Sequence, residues 1–242
     1  ATEADHHYDD YDQCHQWFIL RCTGDLALNL DDFEIASISI YSQKNKMPKP
    51  MSDALVPYIS KEELETVAYD FLCRYYPETL KTPMAIEPLK LAARMGLEVK
   101  IADIAENLST FGQVFFHDYE AEFYDPGKNQ KVCTPVKAGT IVVDPKAFFL
   151  RNIGNVNNTV VHECVHWDKH RKAFELERLY NSSASTIKCQ VAGGMKGSNR
   201  DATDWMEWQA NALAPKIQMP LAMFKTKAFE LIKQYRNELG TS

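Results

Sequence analysis

Apolar positions along this chain follow two rhythms, alternation in some stretches and a three-to-four spacing in others, and the two predict different elements. Trp17-Phe18-Ile19-Leu20 and residues 34–41 read as strands, the second with apolar Ile38 and Ile40 on alternate positions. Residues 42–57 hold Pro48, Pro50 and Pro57 among polar neighbours, which predicts a linker or wrapping segment. Leu64, Val67, Ala68, Phe71 and Leu72 then keep helical spacing up to Pro77, behind a capping box formed by Ser60 and Glu63. A second helix is predicted over 86–95, stopped by Gly96. Strands are predicted at 97–101, 112–117, 121–124, 131–135 and 140–143, with a turn at Asp125-Pro126-Gly127-Lys128-Asn129. A helix follows after Arg151, then a segment 174–180, a polar stretch, and two closing helices over 204–217 and 221–239. No internal repeat is visible. The pattern predicts an α+β fold, a small, mostly antiparallel sheet packed on a helical bundle. It also divides the chain into an N-terminal extension or wrapping segment, 1–57, and a main domain, 58–242.

Composition narrows the class. The 242 residues carry 45% hydrophobic and 25% charged side chains, enough for an ordinary globular core. The formal net charge is -6 and no dense Lys/Arg cluster occurs, so direct nucleic-acid binding is not expected. No apolar run approaches the roughly 20 residues of a membrane-spanning helix, and no membrane partner is expected. Six cysteines at irregular spacings, without a C-x-x-C pair, read as reduced thiols; with no visible signal peptide, the expected location is the cytoplasm. The Gly-rich stretch 192–199 lacks the spacing of a phosphate-binding loop and reads as a plain loop. The acidic His/Tyr/Asp tract at 1–16 reads as a loose terminus.

The chemistry sits in His162-Glu163-Cys164-Val165-His166, an H-E-x-x-H pattern. Residues four apart on a helix share a face, so both imidazoles can reach one ion, while Glu163 lies beside the ion's open position. This is the zinc-hydrolase arrangement: two neutral His ligands and a carboxylate that takes the proton of the attacking water. Val160, Val161, Cys164 and Val165 surround the motif with apolar side chains, so its helix should be buried. Asn157, Asn158 and Thr159 are good N-cap residues, which places the helix start about one turn before His162. A buried stripe of two His and one Glu needs a partner, because unpaired buried polar groups cost about 1–3 kcal/mol each.

Catalytic zinc takes three protein ligands. His170, Glu175, Glu177 and Glu207 are the candidates for the third. His170 stands one turn beyond His166, about 6 Å along the axis, too far for three stacked imidazoles to share an ion. Glu175 and Glu177 are too near on the same helix to fold back. Glu207 belongs to a separate predicted helix and can approach across a cleft. Asn211, four residues on, shares its face and is a candidate to orient a ligating imidazole from behind. Tyr180, His117 and His170 remain open as donors to an oxyanion, and residues 111–116 as a strand that pairs with substrate. Trp205 and Trp208 read as core packing.

Thr159–His166, followed by Glu207-Trp208-Gln209-Ala210-Asn211-Ala212-Leu213-Ala214 and Gln218-Met219-Pro220, resembles the ImmA/IrrE metallopeptidases. The likeness covers roughly 60–225, including the order helix, helix, small sheet, motif helix. It implies zinc held by His162, His166 and Glu207, with Glu163 as general base. It further implies a specific intracellular protein substrate such as a helix-turn-helix transcriptional repressor, in a bacterial or phage setting. Leu213 stands where that family has Phe, Pro215 falls inside the second motif helix, and 1–57 have no counterpart there. The competing reading is a non-catalytic, zinc-containing regulatory module that binds a repressor or toxin partner. A structural zinc site would be closed by four ligands, and only three good ones are present.

Overall fold

The computed structural model describes residues 17–42, 51–106, 110–146, 153–180, 186–190 and 202–238. The chain divides into two compact units, Ala1–Pro50 and Met51–Ser242. In the first, β1 (Phe18–Thr23) and β2 (Glu34–Ile40) form an antiparallel hairpin with a register shift between Arg21 and Cys22. Asp25 caps the intervening turn by accepting from the Ala27 amide. Residues 51–57 belong to the second unit, where Val56 is buried. The tracts 1–16 and 192–199 lie outside the described residues.

The second unit is α+β. Its helices include α1 (Leu64–Tyr75), α2 (Pro88–Arg94), α3 (Ile153–Tyr180), α4 (Ala202–Gln218) and α5 (Leu221–Glu238). The Glu63 carboxylate accepts from the Ser60 amide at 2.8 Å, one half of the expected capping box. Past α2, Gly96 takes φ +75°, a left-handed conformation that glycine adopts without strain, and the chain turns into a strand.

Strands β3 (Glu98–Ile101), β7 (Thr140–Val143), β4 (Thr110–Phe115) and β8 (Thr186–Gln190) lie side by side in that order. β3 runs parallel to β7; the other pairs are antiparallel. β5 (Tyr119–Asp125) and β6 (Gln130–Val136) form a separate hairpin. Side-chain alternation gives the four-stranded sheet two buried faces. Val114, Phe116, Ile141 and Val143 join the main core with residues of α1–α4. Phe115 and Val142 point the other way and join Ala121, Phe123 and Val136 of the hairpin. β4 is therefore interior, flanked by β7 and β8. The expected use of 111–116 as a substrate-pairing strand is corrected on this point, because its backbone partners are already taken.

The motif helix is longer than expected. α3 runs unbroken through 153–180, so Asn157, Asn158 and Thr159 lie inside it and do not cap it. No Gly or Pro interrupts the sequence after Gly154, and the expected separate segment at 174–180 is its last turns. Phe116 stacks on both Trp167 and Phe174, with centroids 5.6 and 4.6 Å away, which fixes α3 against the end of β4. On α3's other side, Asp168 accepts two bonds from Arg74, at 2.8 and 2.9 Å, and one from the Tyr75 hydroxyl. α4 continues through Pro215 to Gln218, so the proline does not interrupt it. Gln218 donates to Asn158 at 2.9 Å, tying the C-terminal end of α4 to the N-terminal part of α3.

Candidate metal centre

α3 and α4 bring three ligand groups to one point. His162, His166 and Glu207 offer atoms that lie within 4.8 Å of one another. The two imidazole Nε2 atoms are 2.9 Å apart. Glu207 places Oε2 3.4 Å from His162 Nε2 and Oε1 3.3 Å from His166 Nε2. Ligands about 2.0–2.1 Å from a tetrahedral ion stand roughly 3.3 Å from each other, so these separations fit a zinc-sized cation. Both histidines are fully buried. The Oε1 atom of Glu207 is buried and accepts no hydrogen bond, a costly state for a carboxylate that a cation would relieve.

Charge follows from this burial. Burial pushes the His166 imidazole down to about 4, so it is neutral and able to ligate. Burial opposes ionisation of Glu207, but the adjoining imidazoles, His162 foremost, outweigh it and keep the carboxyl below its ordinary range. Each partner's shift is pulled by the other. Desolvation of the rings decides the pair, a neutral imidazole beside a carboxylate rather than an ion pair.

Glu163 sits next to this cluster. It is fully buried, and among the described residues neither carboxylate oxygen meets a partner in full hydrogen-bond geometry. Burial, with the charge of Glu207 beside it, raises its carboxyl well above the ordinary range, and the Val114 backbone amide only partly offsets this. The side chain fits because β4 carries a glycine opposite it. A Cβ at Gly112 would lie 2.5 Å from Thr159 Cγ2 and 3.2 Å from Glu163 Oε1.

Behind His166 lies a second layer. His170 Nδ1 is 2.9 Å from His166 Nδ1, and His170 Nε2 is 2.9 Å from Gln209 Oε1. Gln209 in turn donates to the Pro57 carbonyl at 2.6 Å. His170 is as buried as His162 and His166, and burial lowers it to about 3. Asn211 is exposed, and among the described residues no hydrogen bond joins it to an imidazole. Glu175 pairs with Arg171 on its own helix, and Glu177 is exposed. His117 is half-buried and meets Arg178 at 3.2 Å; the Tyr180 side chain lies outside the described residues. Trp205 and Trp208 pack edge to face. Trp205 lines a cleft of about 490 Å³ together with Pro57, Tyr58 and Gln209, on which none of the three metal-ligand candidates opens.

Sequence reasoning missed Gln209. It lies two residues beyond Glu207, about 200° round the helix, whereas helical spacing assigns Asn211, four residues on, to the face of Glu207. The only signal was His170 itself, a third histidine in step with the motif and needing a polar partner. Among the described residues no helix is long and apolar enough to cross a membrane. Neither a family profile, a curated protein nor a solved structure matches the chain.

Proposed function

We propose that this protein is a zinc-dependent endopeptidase that cuts a specific intracellular protein, in the manner of the ImmA/IrrE metallopeptidases that its motifs resemble. The observation that carries the reading is Glu163. A fully buried carboxylate whose oxygens lack a full hydrogen bond among the described residues is destabilising unless it serves chemistry, and this one adjoins three convergent ligand groups. Three ligand groups among the described residues, rather than four, would leave one coordination position for a water, as catalytic sites do and closed structural sites do not.

His162, His166 and Glu207 would hold the ion. Zinc bound there would lower the pKa of its water toward about 7 and polarise the scissile carbonyl. Glu163 would take the water's proton and return it to the departing amine, a role worth about 10²–10⁴-fold. Burial of Glu163 between α3 and β4 keeps bulk water from competing for that proton. Among the described residues β8 is an edge strand of the sheet, and an extended substrate could add to it by main-chain hydrogen bonds.

The reading is tested by incubating the protein with a helix-turn-helix repressor encoded beside its gene, with and without chelator, and mapping the products by mass. The expected result is one or a few defined cuts that chelation abolishes. Binding of the repressor without any cut would instead support a non-catalytic regulatory module. Rapid digestion of casein would count against a specific substrate.

A further inference from the structure

The layer behind the metal centre has a direction. The Pro57 carbonyl can only accept a hydrogen bond, so the group facing it at 2.6 Å must be the amide nitrogen of Gln209. The Gln209 oxygen is thereby turned to His170, 2.9 Å from its Nε2. That nitrogen must carry the proton. His170 is fully buried and, among the described residues, both its nitrogens meet uncharged partners, His166 and Gln209, so it is neutral, and its other nitrogen, Nδ1, bears a lone pair. His166 Nδ1 faces this lone pair at 2.9 Å and must in turn be the donor. A neutral His166 with its proton on Nδ1 has a bare Nε2, and this is the atom that meets His162 and Glu207.

We infer that Pro57, Gln209 and His170 form a proton-ordered relay that sets His166 in the metal-ligating tautomer before any metal arrives, which makes Gln209 and His170 positioning residues. The inference rests on the proposed metal site and explains its polar contacts. With His166 Nε2 bare, Glu207 Oε1 receives no proton from it at 3.3 Å, in keeping with its lack of a hydrogen bond. Among the three ligand groups only His162 could place a proton in the cluster, and a cation replaces that proton. The relay also ties the centre to the chain just before α1, since its outer anchor is the backbone at Pro57. Outer partners of metal-bound histidines fix ring orientation and tautomer in this way, and losing one typically weakens metal binding by about 10–100-fold.

Two-bond nitrogen-15 correlation spectra of the full-length apo protein identify which ring nitrogen of each histidine is protonated. The expected spectrum shows His166 protonated on Nδ1 and His170 on Nε2; the reverse assignment for either ring would overturn the relay. Gln209→Leu is expected to disturb both tautomers and to weaken zinc binding by about 10–100-fold at unchanged stoichiometry, while Asn211→Ala changes neither. Unaltered tautomers and zinc affinity in Gln209→Leu would remove the positioning role. Should that variant not fold, the wild-type spectrum alone decides. The two readings separate cleanly: ordered tautomers without zinc binding would leave the relay standing and sink the proposed enzyme, and zinc binding with reversed tautomers would do the opposite.

Discussion

At the scale of single residues, the site depends on the absence of a side chain as much as on the presence of four. Glu163 lies against β4 only because position 112 is glycine. Gly112→Ala would drive a methyl group to 2.5 Å from Thr159 Cγ2, within a buried interface that has little room to yield. We expect a loss of about 1–3 kcal/mol, measured by urea unfolding. Thr159→Ser removes the atom in conflict and should recover most of that loss in the double variant, a coupling that independent sites would not show. Equal stability of Gly112→Ala and wild type would mean that strand and helix do not approach so closely. Glu163→Gln keeps the shape of the side chain and cannot take a proton. It should retain the metal and lower cleavage of an identified substrate by at least about 10²-fold. Unchanged turnover would take Glu163 out of the chemistry.

At the scale of elements, α3 is the organising piece, held on three sides by different physics. Phe116 stacks along it from the sheet, Arg74 and Tyr75 of α1 bind its Asp168, and α4 crosses it with Glu207, Gln209 and Gln218. Asp168→Ala strips the guanidinium and the hydroxyl of their shared acceptor. It should cost about 1–3 kcal/mol in chemical denaturation yet leave zinc stoichiometry intact, because Asp168 faces α1. A variant that lost metal and kept its stability would show the reverse connection. Much of this element was legible in the sequence. His162, Glu163 and His166 are fixed by helical spacing, and a ligand from a second helix follows from the reach of a carboxylate. What was not legible depends on how α4 crosses α3. That crossing turns Gln209 inward to His170 and leaves Asn211 exposed, and no periodicity within α4 encodes it. β8 was missed for a related reason. Thr186-Ile187-Lys188-Cys189-Gln190 has only two apolar residues, and its place in the sheet comes from pairing with β4.

At the scale of the whole molecule, the proposed ion joins two helices that are far apart in sequence, so metal binding and folding of the Met51–Ser242 unit should be linked. A ligand present at 1,000 times its Kd stabilises the folded state by about 4 kcal/mol. Zinc should therefore raise the Tm of the apo protein in proportion to the logarithm of its concentration, and a chelator should reverse the rise. The most direct test is the zinc content per chain after equilibrium dialysis against excess zinc, compared between wild type, Glu207→Ala and His170→Ala. The expected result is one zinc per chain in wild type and in His170→Ala, the latter with weaker affinity, and almost none in Glu207→Ala. Zinc retained at full stoichiometry in Glu207→Ala and lost in His170→Ala would contradict the assignment of the centre.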